Sequence, residues 1–184
     1  MIIGICGKSG SGKSTLANYI MEYYKNSLHL DIDIIGHYAL TLEEVEKELV
    51  NCFGEYILND KKVDRKKLGN IVFNSRLEMD KLTDITWNYM QMEIDKIINE
   101  NQDKIIILDW LLLSKTKYLK MCDVSILLDI PYDIRKKRAI LRDNITSEAF
   151  DLREKASIDF NYEDFTYVFN DNDDKKIKRM VKNL

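Results

Sequence analysis

Residues 7–14 read Gly-Lys-Ser-Gly-Ser-Gly-Lys-Ser, the spacing G-x-x-x-x-G-K-[ST], and they follow an apolar run, Met1 to Cys6. Each residue type in this stretch has a physical reason. Gly7, Gly10 and Gly12 let the backbone take conformations closed to other residues and come close to phosphate oxygens. The amides of the loop, from Gly7 through Lys8, Ser9, Gly10, Ser11 and Gly12 to Lys13, Ser14 and Thr15, join the N-terminus of a helix starting near Lys13 to form a positive cradle. Lys13 reaches β and γ phosphates, and the Ser14 hydroxyl suits Mg²⁺. The stretch therefore predicts a site for ATP and Mg²⁺ on a strand–loop–helix unit.

The rest of the chain repeats that rhythm. Apolar runs of strand length at Ile2–Cys6, Leu28–Ile32, Lys104–Leu108, Val124–Asp129 and Thr166–Phe169 alternate with longer segments of helical period. Runs nearly continuous in Ile, Leu and Val suit strands covered on both faces, so the expected fold is α/β, three-layered, with a five-stranded parallel sheet. Thr41 with Glu44, and Ser75 with Glu78, have capping-box spacing; Pro131, the only proline, suits a first helical turn; Ser75 to Asn99 reads as one long helix or two abutting ones. A chain of 184 residues without a Gly- or Pro-rich linker is expected to form one domain.

Composition bounds the partners. The formal net charge is −3, so no general attraction to nucleic acid or to an anionic membrane is expected. The longest apolar run, Ile105 to Leu113, contains Asp109 and is too short to span a bilayer. The phosphate loop begins at residue 7, leaving no room for a targeting peptide ahead of it, and a cytoplasmic protein is expected. Cys6, Cys52 and Cys122 are far apart and, with only His29 and His37 as histidines, give no zinc spacing; free thiols are expected. A monomer or small homo-oligomer acting on a small molecule fits these bounds.

The class of nucleotide-binding protein follows from what accompanies the loop. Asp33-Ile-Ile-Gly36 spells DxxG, but no [NT]KxD follows, which argues against a GTPase; the strand Ile105–Asp109 ends in one acid followed by Trp110, unlike an assembly-forming motor. A small-molecule kinase needs carboxylates near the acceptor and metal, and arginines that clamp the transferring group. Asp31 and Asp33 stand at the end of the second strand, where ligands bind in doubly wound folds, and Asp109 ends the third. Arg135, Arg138 and Arg142 have the spacing of one helix face.

Several of these stretches resemble dephospho-CoA kinases, which phosphorylate the ribose 3′-hydroxyl of dephospho-CoA. Asp31-Ile-Asp33-Ile-Ile-Gly-His37 is similar to the family's D-x-D-x-I-x-x-[HR], and Phe53-Gly54 with Val63-Asp64-Arg65 through Val72-Phe73 to its F-G … [VL]-D-R-x-x-L-x-x-x-[VI]-F. Arg135 to Asp143 resembles its lid helix, and Val168-Phe169-Asn170 its final strand, the likeness running from Ile2 to about Asn172. The resemblance implies Asp33 as general base, Arg65 on the acceptor side, Arg138 and Arg142 on the transferred phosphoryl group with Lys13, and Asn170 near the adenine. It also implies a core at 1–39, 101–131 and 163–184, a helical acceptor-binding region at about 40–100, and a lid at about 132–162.

The chain departs from the family at three places. Cys6-Gly7-Lys8 replaces Thr-Gly-Gly, Ile85-Thr86-Trp87-Asn88 replaces I-T-H-P, and Asp109-Trp110-Leu111-Leu112-Leu113-Ser114-Lys115 replaces D-x-P-L-L-[FV]-E. In the family the last two line the acceptor side, so Trp87 and Asp109 are expected there, Trp87 either stacking on a base or filling the space of the absent His-Pro pair. The residues leave open another acceptor for a kinase of this fold, and a nucleotide-binding module without catalysis.

Overall fold

A computed structural model describes residues 1–171 and 173–184; Asn172, the expected limit of the family likeness, lies outside the described residues. The elements are β1 (Ile2–Cys6), α1 (Lys13–Tyr23), β2 (Ser27–Asp31), α2 (Ile32–Ala39), α3 (Glu43–Phe53), β3 (Leu58–Asn59), β4 (Lys62–Val63), α4 (Arg65–Val72), α5 (Arg76–Glu100), β5 (Ile105–Asp109), β6 (Val124–Leu128), α6 (Tyr132–Asp143), α7 (Ser147–Lys155), β7 (Tyr167–Phe169) and α8 (Asp174–Val181). They fall into two compact units, one of Met1–Asp31 with Glu100–Leu184 and one of Ile32–Asn99.

The first unit holds the five-stranded sheet, in the order β2-β5-β1-β6-β7 with every pair parallel. Alternation along β1 divides its two faces. Ile3 and Ile5 pack with Ile107, Ile126 and Leu128 against Leu16, Ala17 and Ile20 of α1 and Ile177, Met180 and Val181 of α8. A β-carbon added at Gly4, on the other face, would stand 2.7 Å from Cys122 Sγ and 2.9 Å from Leu113 Cδ2, so the 3₁₀ turns Leu111–Lys115 and Lys117–Met121 come close to the sheet there. At the β6–β7 edge, buried Ser125 exchanges hydrogen bonds with Thr166, its Oγ accepting from Thr166 N at 3.0 Å and its amide donating to Thr166 Oγ1 at 3.1 Å. Side chains there stand in for ladder bonds.

The second unit has its own core, with Leu40, Val45, Leu49, Ile57, Leu68 and Val72 as its buried residues. The β3–β4 hairpin turns through Asp60 and Lys61, both at positive φ. Asp64 then caps α4, accepting from the amides of Lys66 at 2.8 Å and Lys67 at 3.1 Å.

Several local expectations change. The Thr41 hydroxyl donates to Tyr38 O at 2.7 Å, and Leu42 is the N-cap of α3, so the expected capping box does not form; the hydroxyl is used by the preceding turn. Ser75 does cap its helix, accepting from Glu78 N at 3.4 Å, and α5 runs unbroken for 25 residues. Pro131 is the N-cap residue of α6, at φ −52°, one position ahead of its first turn. Asp33 lies in the first turn of α2, beyond the end of β2, because the strand stops at Asp31.

The three cysteines are free thiols. Burial pushes the Cys6 and Cys122 thiols up to about 12, whereas Cys52 is exposed. A disulfide-exchange reagent at pH 8 should therefore take up one thiol per chain rapidly and the other two only in denaturant, read by absorbance; three rapid equivalents would contradict this burial.

Candidate functional site

The phosphate loop sits at the carboxyl end of β1, in the centre of the sheet, and is shaped by close approach to α6. Gly10, at φ +79°, would place a β-carbon 2.3 Å from the carbonyl oxygen of Arg135, so only a hydrogen fits. Gly12, at φ +98°, is the N-cap of α1, and no side chain caps that helix among the described residues. The first-turn amides, with the positive end of the helix dipole, are thereby left to an anion. Ser11 N donates to Lys8 O at 3.1 Å within the loop. The Ser11 hydroxyl is buried with no hydrogen-bond partner and lies against Gly7, where an added β-carbon would stand 2.5 Å from it.

Beside the loop lies Asp109, 3% exposed at the end of β5. The parallel register sets it opposite Ile5 on one side and Asp31 on the other. Its Oδ2 accepts from Ser14 Oγ at 3.1 Å and is hydrogen bonded to His29 Nε2 at 3.2 Å, while Oδ1 faces Lys13 Nζ at 3.9 Å. Sequence reasoning missed His29. The signal was its place two residues before Asp31 on one strand, a spacing that shares a face.

The three arginines of α6 divide their work. Arg135 is 5% exposed and turned inward, donating from Nε to Ile130 O at 2.8 Å and from both Nη atoms to the carboxylate of Glu154 at 2.8 Å. It ties α6 to α7 and is removed from the expected set of clamping residues. Arg138 is exposed, its Nη1 standing 4.0 Å from where a Gly12 β-carbon would be. Arg142 is exposed and donates to the Asp143 carboxylate at 2.7 and 3.1 Å, which Arg153 shares at 2.9 Å. Asp143 chiefly, and more weakly the charges of Asp109 and Asp31, hold Arg142 above its ordinary pKa.

Lys8 keeps its backbone in the loop but turns its ammonium to Glu154 at 3.3 Å and Asp159 at 3.8 Å. Ser9, Gly7 and Thr15 complete the loop, and Asn170 is exposed directly after β7. In the second unit, Arg65 is the first residue of α4 and donates from Nη2 to His37 Nε2, on α2, at 2.8 Å. Asp33 is exposed on α2, and Trp87 is half-buried on α5.

A family model described as dephospho-CoA kinase matches residues 1–178. The dephospho-CoA kinase of Borreliella burgdorferi is 36% identical over 139 residues, 75% of this chain and 66% of that protein's length, so the chain aligns with just under two thirds of this relative. That of Aquifex aeolicus is 36% identical over 156 residues, 83% of this chain and 78% of that one. A crystal structure from Thermus thermophilus superposes with a TM-score of 0.80 at 23% identity, covering 100% of this chain and 94% of that one. A dephospho-CoA kinase from Campylobacter jejuni gives 0.64 at 22%, covering 99% and 94%. At those identities the two structures speak for the fold.

Asp109→Asn keeps the size of the buried side chain but removes its charge. It should weaken ATP binding measured by calorimetry in Mg²⁺ by about tenfold, the scale of a lost metal partner, and change binding in chelator far less. Equal losses in both conditions would remove the carboxylate from the metal side.

Proposed function

Because the chain belongs to the dephospho-CoA kinase family, we propose that it transfers the γ-phosphoryl group of ATP to the ribose 3′-hydroxyl of dephospho-CoA, giving coenzyme A and ADP. The observation that carries the reading is the meeting of Lys13, Ser14 and Asp109 at the mouth of the phosphate loop. In that arrangement a dry carboxylate, a hydroxyl and an ammonium face the place where a triphosphate terminus would lie.

The oxygen donors of Ser14 and Asp109, hydrogen bonded to each other, suit a hard divalent cation. Mg²⁺ held there with the β and γ phosphate oxygens would supply charge neutralisation across the transferring group. The residues of the chain do the rest. Lys13 balances charge on the β and γ phosphates, and the loop amides fix the phosphate oxygens.

Asp33 takes the proton of the acceptor hydroxyl as that oxygen bonds to the γ-phosphorus. The bond from phosphorus to the β–γ bridging oxygen breaks in line, and the electron pair leaves with ADP. Arg138 and Arg142 meet the equatorial oxygens. For Arg142 this means exchanging Asp143 for phosphate, a like-for-like trade of bidentate oxygens. Arg65, held by His37, and Trp87 belong to the acceptor side, with the helical region at about 40–100 as the acceptor-binding part. The segment at about 132–162 acts as a lid that excludes water. Asn170 lies toward the adenine, and the reaction takes place in the cytoplasm on this reading.

The test is ADP release by the purified protein with ATP and Mg²⁺, with and without dephospho-CoA, and chromatography of the product. Acceptor-dependent ADP with coenzyme A is expected; ATP binding without any response to dephospho-CoA would assign a different acceptor and lead to a panel of nucleosides and nucleotides. In the same assay Lys13→Ala should lower turnover by about a thousandfold. Asp33→Asn should lower kcat by a hundredfold or more, on the order expected for a lost general base, with ATP affinity unchanged. A normal kcat in either variant would remove that residue from the chemistry.

A further inference from the structure

The second residue of the phosphate loop is a lysine whose charge points away from the loop's own amides, and the carboxylate it meets is shared. Glu154, near the end of α7, accepts from Lys8 Nζ at 3.3 Å on the same oxygen that receives Arg135 Nη2 at 2.8 Å, while its other oxygen receives Arg135 Nη1. One carboxylate thus joins the loop, α6 and α7. Arg135 adds two further ties, Nη1 reaching toward Ser9 O at 3.4 Å and its own carbonyl lying over Gly10. Its Nε donates to Ile130 O at the entry to α6. The guanidinium is almost fully buried, and the charge-assisted fork is the geometry that Arg and a carboxylate share best.

We infer that Glu154 is a positioning residue for the phosphoryl transfer proposed above: by pairing with Lys8 and Arg135 it fixes the α6–α7 hairpin on the phosphate loop and so sets where Arg138 and Arg142 stand. The inference rests on that reading for its catalytic consequence, and on the contacts alone for its structural one.

The rest of the hairpin agrees with this role. Lys136 bonds Asp151 at 2.7 Å, Tyr132 also donates to Asp151, and Arg153 bonds Asp143 at 2.9 Å, so α6 and α7 are clasped to each other along their length. A clasped pair moves as one piece, and an anchor at its base aims its far residues. Arg138 lies one turn and Arg142 two turns beyond Arg135. Arg135 chiefly, and then Lys8, hold the Glu154 carboxyl below its ordinary pKa, so it is charged at neutral pH and the anchor is ionic.

Three substitutions separate positioning from plain stability. Glu154→Gln keeps shape and loses charge, Glu154→Asp keeps charge with shorter reach, and Lys8→Met breaks one arm. Amide hydrogen exchange across residues 132–156 and the steady-state constants are measured on each, at a temperature where circular dichroism shows the variant folded. Glu154→Gln should exchange at least about tenfold faster in the hairpin and lose kcat by about ten- to a hundredfold, the scale of an ångström of misplacement, with the KM for ATP within about threefold. Glu154→Asp should recover part of both, and Lys8→Met should add nothing once Glu154 is Gln, because the two act as one unit.

Unchanged hairpin exchange with kcat within twofold of wild type would overturn the inference, as would a loss confined to the KM for ATP. If the wild type makes no coenzyme A, the acceptor assignment is what has failed. The exchange comparison then still decides, faster hairpin exchange upholding the anchor and equal exchange refuting it. Should the Gln variant not fold, the Asp and Met variants carry the same two measurements.

Discussion

Asp109 is an ionisable group almost wholly removed from water, and the nucleotide site is arranged around what that demands. A buried carboxylate left without partners costs about 3–5 kcal/mol. Here two hydrogen-bonding groups and one ammonium meet it, from two parts of the first unit: Ser14 and Lys13 from the start of α1, His29 from β2. The partners are in reach because β5 lies between β1 and β2 in parallel register, bringing Ile5, Asp109 and Asp31 level at the carboxyl ends of three strands. Were β5 to slip by one residue, the side-chain period of two would turn Asp109 to the opposite face. Sheet register and site chemistry are in this sense one constraint.

The loop itself is held by a second close approach, backbone on backbone. Gly10 admits the Arg135 carbonyl at a distance that no β-carbon could share, and this sets α6 on the loop before any side chain is considered. The charges then sort themselves by burial. Arg135, dry, is spent on Glu154 and carbonyl oxygens. Arg138 and Arg142, wet, keep guanidinium groups near the surface of the site, and Arg142 is borrowed by Asp143 in the meantime. A pairing that is partly exposed costs little to break, and under the proposed function a phosphate takes Asp143's place. The buried pairing cannot be exchanged so cheaply.

Much of this was legible in the chain. The octapeptide at residues 7–14, with an apolar strand before it and helical period after it, specifies a strand–loop–helix unit by local chemistry alone, and all five parallel strands lie within a residue or so of their apolar runs. Such features depend on near neighbours. Thr41 shows where local reading fails, since its hydroxyl had two backbone targets within four residues and the turn behind it won. The role of Arg135 was hidden for another reason. Three arginines at helical spacing look alike in sequence, and their difference comes from Glu154, nineteen residues on, and from Ser9, 126 residues back.

The sequence by itself determined the α/β class, the phosphate loop and the family to which the chain belongs, because glycine spacing, apolar periodicity and short motifs act over a few residues. Only the tertiary structure decided that His29 stands at Asp109, that His37 meets Arg65, and that Lys8 faces away from the loop's amides toward Glu154. Each of those is a pairing of charge or hydrogen bond between elements far apart in the chain. The energy of such a pair depends on distance and on exclusion of water, and neither exists until the strands and helices have packed.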